Sequence, residues 1–365
     1  MATTTGTEVL PPPAARSGAF GWVRKRFFGG PVDTVLTLLI LYLLYLTLVP
    51  FVEWAFVNAT WYGDSREDCQ AGGACWALFR VRWGQYVYGL YPTGERWRVN
   101  LGALLLILAS VPIFIDGFKH RLTYLFGLIL IYPLIAYFLF YGGVFWLWVV
   151  DTARWGGLFL TLVVGLTGIA ASLPIGILLA LGRRSQLPAI KSLSVVFIEV
   201  IRGVPLVSIL FMASVMFPLF APEGVNFDKL LRALVAVALF ASAYMAEVIR
   251  GGLQAIPKGQ YEAADAMGLT YWKAMGLVIL PQALKLVIPG IVNTFIGLFK
   301  DTALVSIIGL YDLLGMARTV VKDANWLGTD TESYIIAAAG FWVFCFAMSK
   351  YSQHLERKLD TGHKS

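Results

Sequence analysis

Charged side chains interrupt apolar sequence at three points in the C-terminal half of the chain. Glu199 and Arg202 stand three residues apart, Glu247 and Arg250 repeat that spacing, and Lys300 and Asp301 are adjacent, followed by Thr302. On a helix, a Glu and an Arg three apart share one face and form a local ion pair. Adjacent helical residues point about 100° apart, so Lys300 and Asp301 do not neutralise each other side by side. A charge within a membrane is costly unless it faces the bundle interior, water or a partner. Two readings follow for Lys300, Asp301 and Thr302: they pair with neighbouring helices and fix packing, or they border a translocation path. For the two Glu-x-x-Arg sets the readings are local ion pairs at the inner membrane surface, or an inner gate or partner contact. None of these groups includes a nucleophile beside an acid–base pair, so no catalytic set emerges. The three cysteines and three histidines have no metal-ligand spacing.

The elements that position these residues are membrane helices. The 365 residues are 58% hydrophobic and 14% charged, too apolar for a soluble domain. Apolar runs at about 33–52, 100–115, 122–143, 157–182, 193–220, 230–249, 286–310 and 334–350 predict an all-α integral membrane protein of about eight spans. The second run is short and contains Pro112, which leaves a re-entrant segment open. The third continues into residues 144–150, read as an interfacial helix, and Trp146, Trp148 and Trp155 read as interfacial anchors. Residues 1–31 form a polar, basic tail before a retained signal anchor.

The net charge of +7 does not point to nucleic acid, because the basic residues sit in short loops between spans. With the N-terminus in the cytoplasm, inside segments carry 18 Lys and Arg and outside segments 10, which predicts both termini inside. This topology puts loop 53–99 outside, where Cys69 and Cys75 are chemically free to form a disulfide or to remain two thiols. It puts residues 250–285 inside.

The fourth span carries Thr161, Gly165, Gly168, Ser172, Gly176 and Ala180 at three- and four-residue steps, a stripe that lets helices approach closely in lipid. The first three spans lack such a stripe. The chain therefore divides into a cytoplasmic tail (1–31), a three-span extension with its outer loop (32–150), a five-span core (151–355) and a second cytoplasmic tail (356–365).

Inside the core, the loop after the sixth span has helical punctuation. Gly251 and Gly252 read as the end of that span, and Pro257 prevents its continuation. A helix then starts near Gln260, with Glu262 and Asp265 near its positive end. Ala263, Ala264 and Met267 read as its small apolar face, and Gly268 stands where a C-cap needs positive φ. A second helix follows from about Thr270 until Pro281 marks re-entry to the membrane. Acids and alanines suit a protein groove. The other reading, a loop lying on lipid headgroups, favours Lys and Arg instead.

Glu262-Ala263-Ala264, then Gly268, Val278 and Leu280-Pro281 at their spacing, resemble the EAA loop of ABC-importer permeases. "EVIRGVPL" (199–206), "YMAEVIRGG" (244–252) and "LFKDTALVS" (298–306) are similar to the polar amino-acid branch of that family. The extra spans and outer loop resemble the M-type permease of general L-amino-acid transporters. The resemblance implies a MetI-like five-helix core that pairs with a homologous permease, rests on two ATPase subunits and receives L-amino acids from a periplasmic binding protein. It implies a multi-pass protein of the bacterial inner membrane. It also implies that Glu262, Ala263, Ala264, Gly268, Leu280 and Pro281 couple to the ATPase. ATP and Mg would be used by that partner, and no cofactor is expected on this chain, which contains no Gly-Lys dipeptide for a Walker A loop. A self-sufficient secondary transporter or channel predicts inverted repeats and leaves the hairpin without a purpose.

Overall fold

The computed structural model describes residues 19–359, except 116, 119, 145, 221 and 223–226. The described residues fall into two compact units. The first holds α1 (Ala19–Phe27) and α2 (Pro31–Val52), the latter prolonged by a π turn at Glu53–Val57. No residue of α2 is buried, as expected of an all-round apolar helix surrounded by lipid. The loop beyond it folds back on itself: Ala74 N donates to Trp54 O at 2.8 Å and Trp76 Nε1 to Ala55 O at 2.7 Å. Cys69 and Cys75 are joined as a disulfide within this loop.

The second unit contains the remaining helices: α3 (Ala77–Tyr88), α4 (Arg96–Phe114), α5 (Arg121–Tyr141), α6 (Gly157–Arg183), α7 (Pro188–Gly203), α8 (Leu206–Phe211), α9 (Phe217–Phe220), α10 (Lys229–Ala255), α11 (Lys258–Ala266), α12 (Tyr271–Ala274), α13 (Leu280–Leu286), α14 (Ile288–Asp301), α15 (Leu313–Val320) and α16 (Asp330–Leu359). Across both units, seven described helices are long and apolar enough to cross a membrane, or eight when α7 and the α8–α9 segment count as one broken span. The fifth predicted span, 193–220, is therefore not one helix. Its two halves meet at 103°, because Pro205 drives Val204 out of the helical region to φ −107°, ψ 134°. The second predicted span forms a helix long and apolar enough to cross a membrane. Residues 96–114 form one continuous helix in which Pro112 is accommodated in the last turns. Two further expectations need correction. The described residues of 144–150 form a turn rather than a helix, with Gly143 N donating to Leu147 O at 2.9 Å. Trp146 and Trp148 are exposed, but Trp155 is buried against Phe140 and Phe159.

The small-residue stripe of α6 is the packing seam of the unit. All six of its members are buried. A Cβ added at Gly168 would stand 2.9 Å from Leu298 on α14 and 3.0 Å from Val237 on α10, and one at Gly176 would stand 2.7 Å from Met245 on α10. The absent side chains thus set how closely the three helices pack. Two apolar clusters flank this seam. One joins α4, α5, α6, α10 and α14 through Val99, Phe140, Phe159, Val237 and Leu298. The other joins α6, α7 and α10 to the segment 275–283 through Ala180, Ile198, Ile249, Met275, Ile279 and Ala283.

At the N-terminal end of α6, Asp312 caps α15. Its carboxylate accepts from Gly315 N at 2.9 Å and Leu314 N at 3.2 Å, while Leu313 N donates to Thr161 Oγ1 at 3.0 Å. Asp312 is fully buried, and that burial pushes its carboxyl up to about 6 against the pull of the two N–H donors. A carboxyl raised in the folded state binds its proton more tightly there. Its stabilising linkage is complete below pH ~4 and is lost as pH rises through about 6. Asp312→Asn keeps an acceptor for the cap and removes the titration. We expect the variant's thermal stability relative to the parent to rise between pH 5 and pH 7.5. An identical difference at the two pH values would contradict this assignment.

Candidate functional site

At the opposite end of α6, the segment after α10 forms a helical hairpin. Its helix α10 runs through Gly251 and Gly252 to Ala255, so the glycines do not end it as expected. Termination comes at Ile256, held extended at φ −73°, ψ 125° by Pro257. Gly252 instead admits the second limb, since a Cβ there would stand 2.7 Å from Ala283 O. The first limb is α11, capped at Met267, and Gly268 turns the chain with φ +70°. The second limb runs from α12 through a π turn at Met275–Ile279 into α13.

The limbs are fixed from one side. Ala264, Ala274, Met275, Ile279 and Ala283 are buried. Arg184, just past the end of α6, donates to Tyr261 Oη at 2.8 Å and Leu253 O at 3.2 Å, and lies over the Tyr261 ring at 5.3 Å. Tyr261 Oη donates to Leu253 O at 3.0 Å, and Gln282 Nε2 donates to Gln260 Oε1 at 3.1 Å across the limbs. The other side is open: Glu262, Ala263, Asp265 and Ala266 are exposed, as are Met267, Tyr271, Trp272 and Leu277. The expected apolar face of Ala263, Ala264 and Met267 is therefore split, with Ala264 packed inward and the other two outward. Leu280 is half-buried and Pro281 exposed, at the start of α13. A 260 Å³ cavity lies in the crook, lined by Arg184, Tyr261, Asp265, Tyr271, Ala274 and Met275.

The Glu-x-x-Arg sets lie beside the hairpin and form one network. Glu247 is its centre: it pairs with Arg250 at 2.8 Å, Arg183 at 2.9 Å and Arg202 at 3.5 Å. Glu199 pairs with Arg183 at 2.8 Å rather than with Arg202 on its own helix. Of the two local pairs expected, only Glu247–Arg250 forms. Arg202 is drawn away to Glu247 and to the ring of Tyr244, 5.5 Å from its guanidinium. The network joins α6, α7 and α10. Arg183 and Arg184, which bind α6 to the rest, look in the sequence like ordinary inside charges.

Lys300, Asp301 and Thr302 stand apart from this network. Lys300 is exposed, Asp301 half-buried and Thr302 buried, with its hydroxyl donating to Phe299 O at 2.7 Å. The α-helix ends at Asp301 and continues as a 3-10 helix over Thr302–Ile308. Among the described residues neither charge has an ion-pair partner within 4.0 Å, so the reading of pairing with a neighbouring helix of this chain finds no support. Among the described residues no cluster of His, Cys, Asp and Glu has the arrangement of a metal site.

Residues 172–361, which contain the hairpin, the Glu247 network and Lys300–Thr302, match the family described as binding-protein-dependent transport system inner membrane component. The chain belongs to this family. It is 54% identical over 362 residues to the inner membrane amino-acid ABC transporter permease protein YhdY of Escherichia coli strain K12, an alignment that covers 98% of this chain and 99% of the relative. It is 41% identical to the glutamate/glutamine/aspartate/asparagine transport system permease protein BztC of Rhodobacter capsulatus, with 98% of both chains covered. A solved amino acid ABC transporter structure is 36% identical over 55% of this chain and 92% of its own, with a TM-score of 0.49. The near-complete coverage of the two permeases means that the spans before residue 157 are part of what this chain shares with them.

Proposed function

We propose that the chain is the permease subunit of an ATP-driven, binding-protein-dependent importer of L-amino acids, and that its α11–α12 hairpin couples it to a separate ATPase. The observation that carries the reading is the hairpin's asymmetry: one side is locked to α6 and α10, and the other presents Glu262, Ala263 and Asp265 to the surroundings. The names of YhdY and BztC support the substrate class. In this reading two ATPase subunits use ATP and Mg. A homologous permease completes the path, and a periplasmic binding protein delivers substrate. The chain sits in the bacterial inner membrane with both termini in the cytoplasm. Residues 32–150 form the three-span addition and 151–355 the five-span core.

The contacts of the hairpin support an ATPase-driven stroke. Closure of the ATPases displaces the hairpin. Tyr261, Arg184 and the apolar cluster around Ile249 and Ile279 pass that displacement to the ends of α6, α7 and α10. The Glu247 network keeps those three ends together, so they move as one and open the path away from the ATPases. Lys300 and Asp301 border that path, where an amino acid offers both a carboxylate and an ammonium group to opposite charges. The test is uptake of L-glutamate and L-glutamine into vesicles carrying the chain with its ATPase, second permease and binding protein. Uptake should require ATP. Uptake driven by an ion gradient without ATP would overturn the reading.

A further inference from the structure

The end of the second unit opposite the hairpin is crossed by α3 and the residues after it. This segment is bound to four elements. Tyr86 is fully buried, and its hydroxyl lies 2.6 Å from Ser333 Oγ on α16. Ser333 Oγ in turn donates to Ala317 O on α15 at 2.9 Å, so Tyr86 is the donor to Ser333. Burial raises the Tyr86 phenol to about 12, which keeps that proton in place over the whole working range of pH. Arg82 forms an ion pair with Asp323, which also caps the 3-10 turn after α15 by accepting from Asn325 N at 3.0 Å.

The start of α6 is held by backbone contact. Gly157, at φ +62°, donates its N–H to Tyr311 O at 2.9 Å, and a Cβ there would stand 2.3 Å from Tyr86 O. A Cβ at Gly89 would stand 2.4 Å from the backbone of Gly156. No side chain other than hydrogen fits between these strands of backbone without moving them. Two residues further on, the buried Tyr91 donates to Phe140 O on α5 at 2.7 Å and meets the Phe159 ring of α6 edge-on.

We propose that residues 77–91 are a fixed strap that holds the distal ends of α6, α15 and α16 in one block throughout the transport cycle, and not a lid that swings with it. A lid needs an interface that parts at low cost, with few buried contacts. Here Tyr86 and Tyr91 make buried hydroxyl bonds and Gly89 and Gly157 make backbone approaches that only glycine permits, with the part-exposed Arg82–Asp323 ion pair beside them, and they act at four elements at once. The strap makes the motion delivered at the hairpin end arrive at the far end as movement of the whole subunit.

The inference rests on the importer reading, so parent uptake measured in the same vesicles tests that reading separately. In a Cys345→Ser background, Arg82→Cys and Asp323→Cys are bridged with a short bifunctional thiosulfonate, and L-glutamate and L-glutamine uptake is measured before and after. The strap predicts bridged uptake within about twofold of the unbridged variant. Loss of uptake on bridging, restored by a thiol reductant at a dose that leaves uptake by the Cys345→Ser parent with its Cys69–Cys75 disulfide unchanged, would show a moving lid and overturn the proposal. A second pair of variants asks whether the strap matters at all. Arg82→Ala is expected to lower the maximal uptake rate several-fold, and Arg82→Lys, which keeps the charge, to retain most of it. Full uptake by Arg82→Ala would also overturn the proposal. If that variant does not assemble, the bridging result decides alone.

Discussion

Glu247→Ala should reduce ATP-driven uptake by an order of magnitude or more while leaving the chain in the membrane. Among the described residues Glu247 is the only acid that forms an ion pair with Arg202 and with Arg250, and it shares Arg183 with Glu199. Its side chain is 15% exposed, so solvent screens the cluster only in part. Removing the carboxylate leaves three guanidinium groups close together, and each hydrogen bond lost to a charged group costs roughly 1–3 kcal/mol. That penalty falls on the junction that holds α6, α7 and α10 together, hence on coupling more than on the apolar seam further along α6. Glu199→Ala is the internal control. Glu199 is 55% exposed and has one partner, so its loss should change uptake by less than about threefold. Equal losses for the two variants would show that Glu247 is not the centre of the junction.

Glu262→Arg should remove the ATPase from the purified complex without altering the chain's own thermal stability. Glu262 is exposed on α11, on the open side of the hairpin. Its contribution must therefore come from outside the chain. Reversing a charge in a complementary interface costs several kcal/mol, enough to reduce ATPase retention at least tenfold. Ala264→Asp is the contrasting change. It forces a carboxylate into the cluster behind the hairpin and should lower the chain's own stability. If both variants behaved alike, the open side and the locked side of the hairpin would not be functionally distinct.

The local features of the site were legible in the sequence because each rests on nearby residues. Pro257 and Gly268 punctuate α11, and the α6 stripe follows from helical spacing alone. What the sequence hid depends on partners far along the chain. Arg183 reaches Glu247 across 64 residues, and only a folded α6–α10 pair makes that an ion pair rather than two loop charges. The strap is the extreme case: Tyr86 and Ser333 are 247 residues apart, and the apolar, aromatic stretch 77–91 lies outside every predicted span, so local pattern alone does not name its partners. Trp155 misled for a related reason. An aromatic at the edge of a span suits the membrane surface, but three rings, Phe140, Trp155 and Phe159, pack together instead. The bend at Val204 was available from Pro205, but the apolar run continues through it and conceals the break.

The central claim is that the open side of the hairpin meets an ATPase that moves it. A single cysteine at Ala263 or Ala266, both exposed, tests this directly in a background with Cys345 replaced and with Cys69 and Cys75 kept in their disulfide. Cross-linking in native membranes, followed by mass identification of the partner, should capture a soluble ATPase subunit, with a yield that changes when Mg-ATP is added. A cysteine that captures no ATPase and reacts only with reagents applied from the periplasmic side would contradict the coupling role and the topology together.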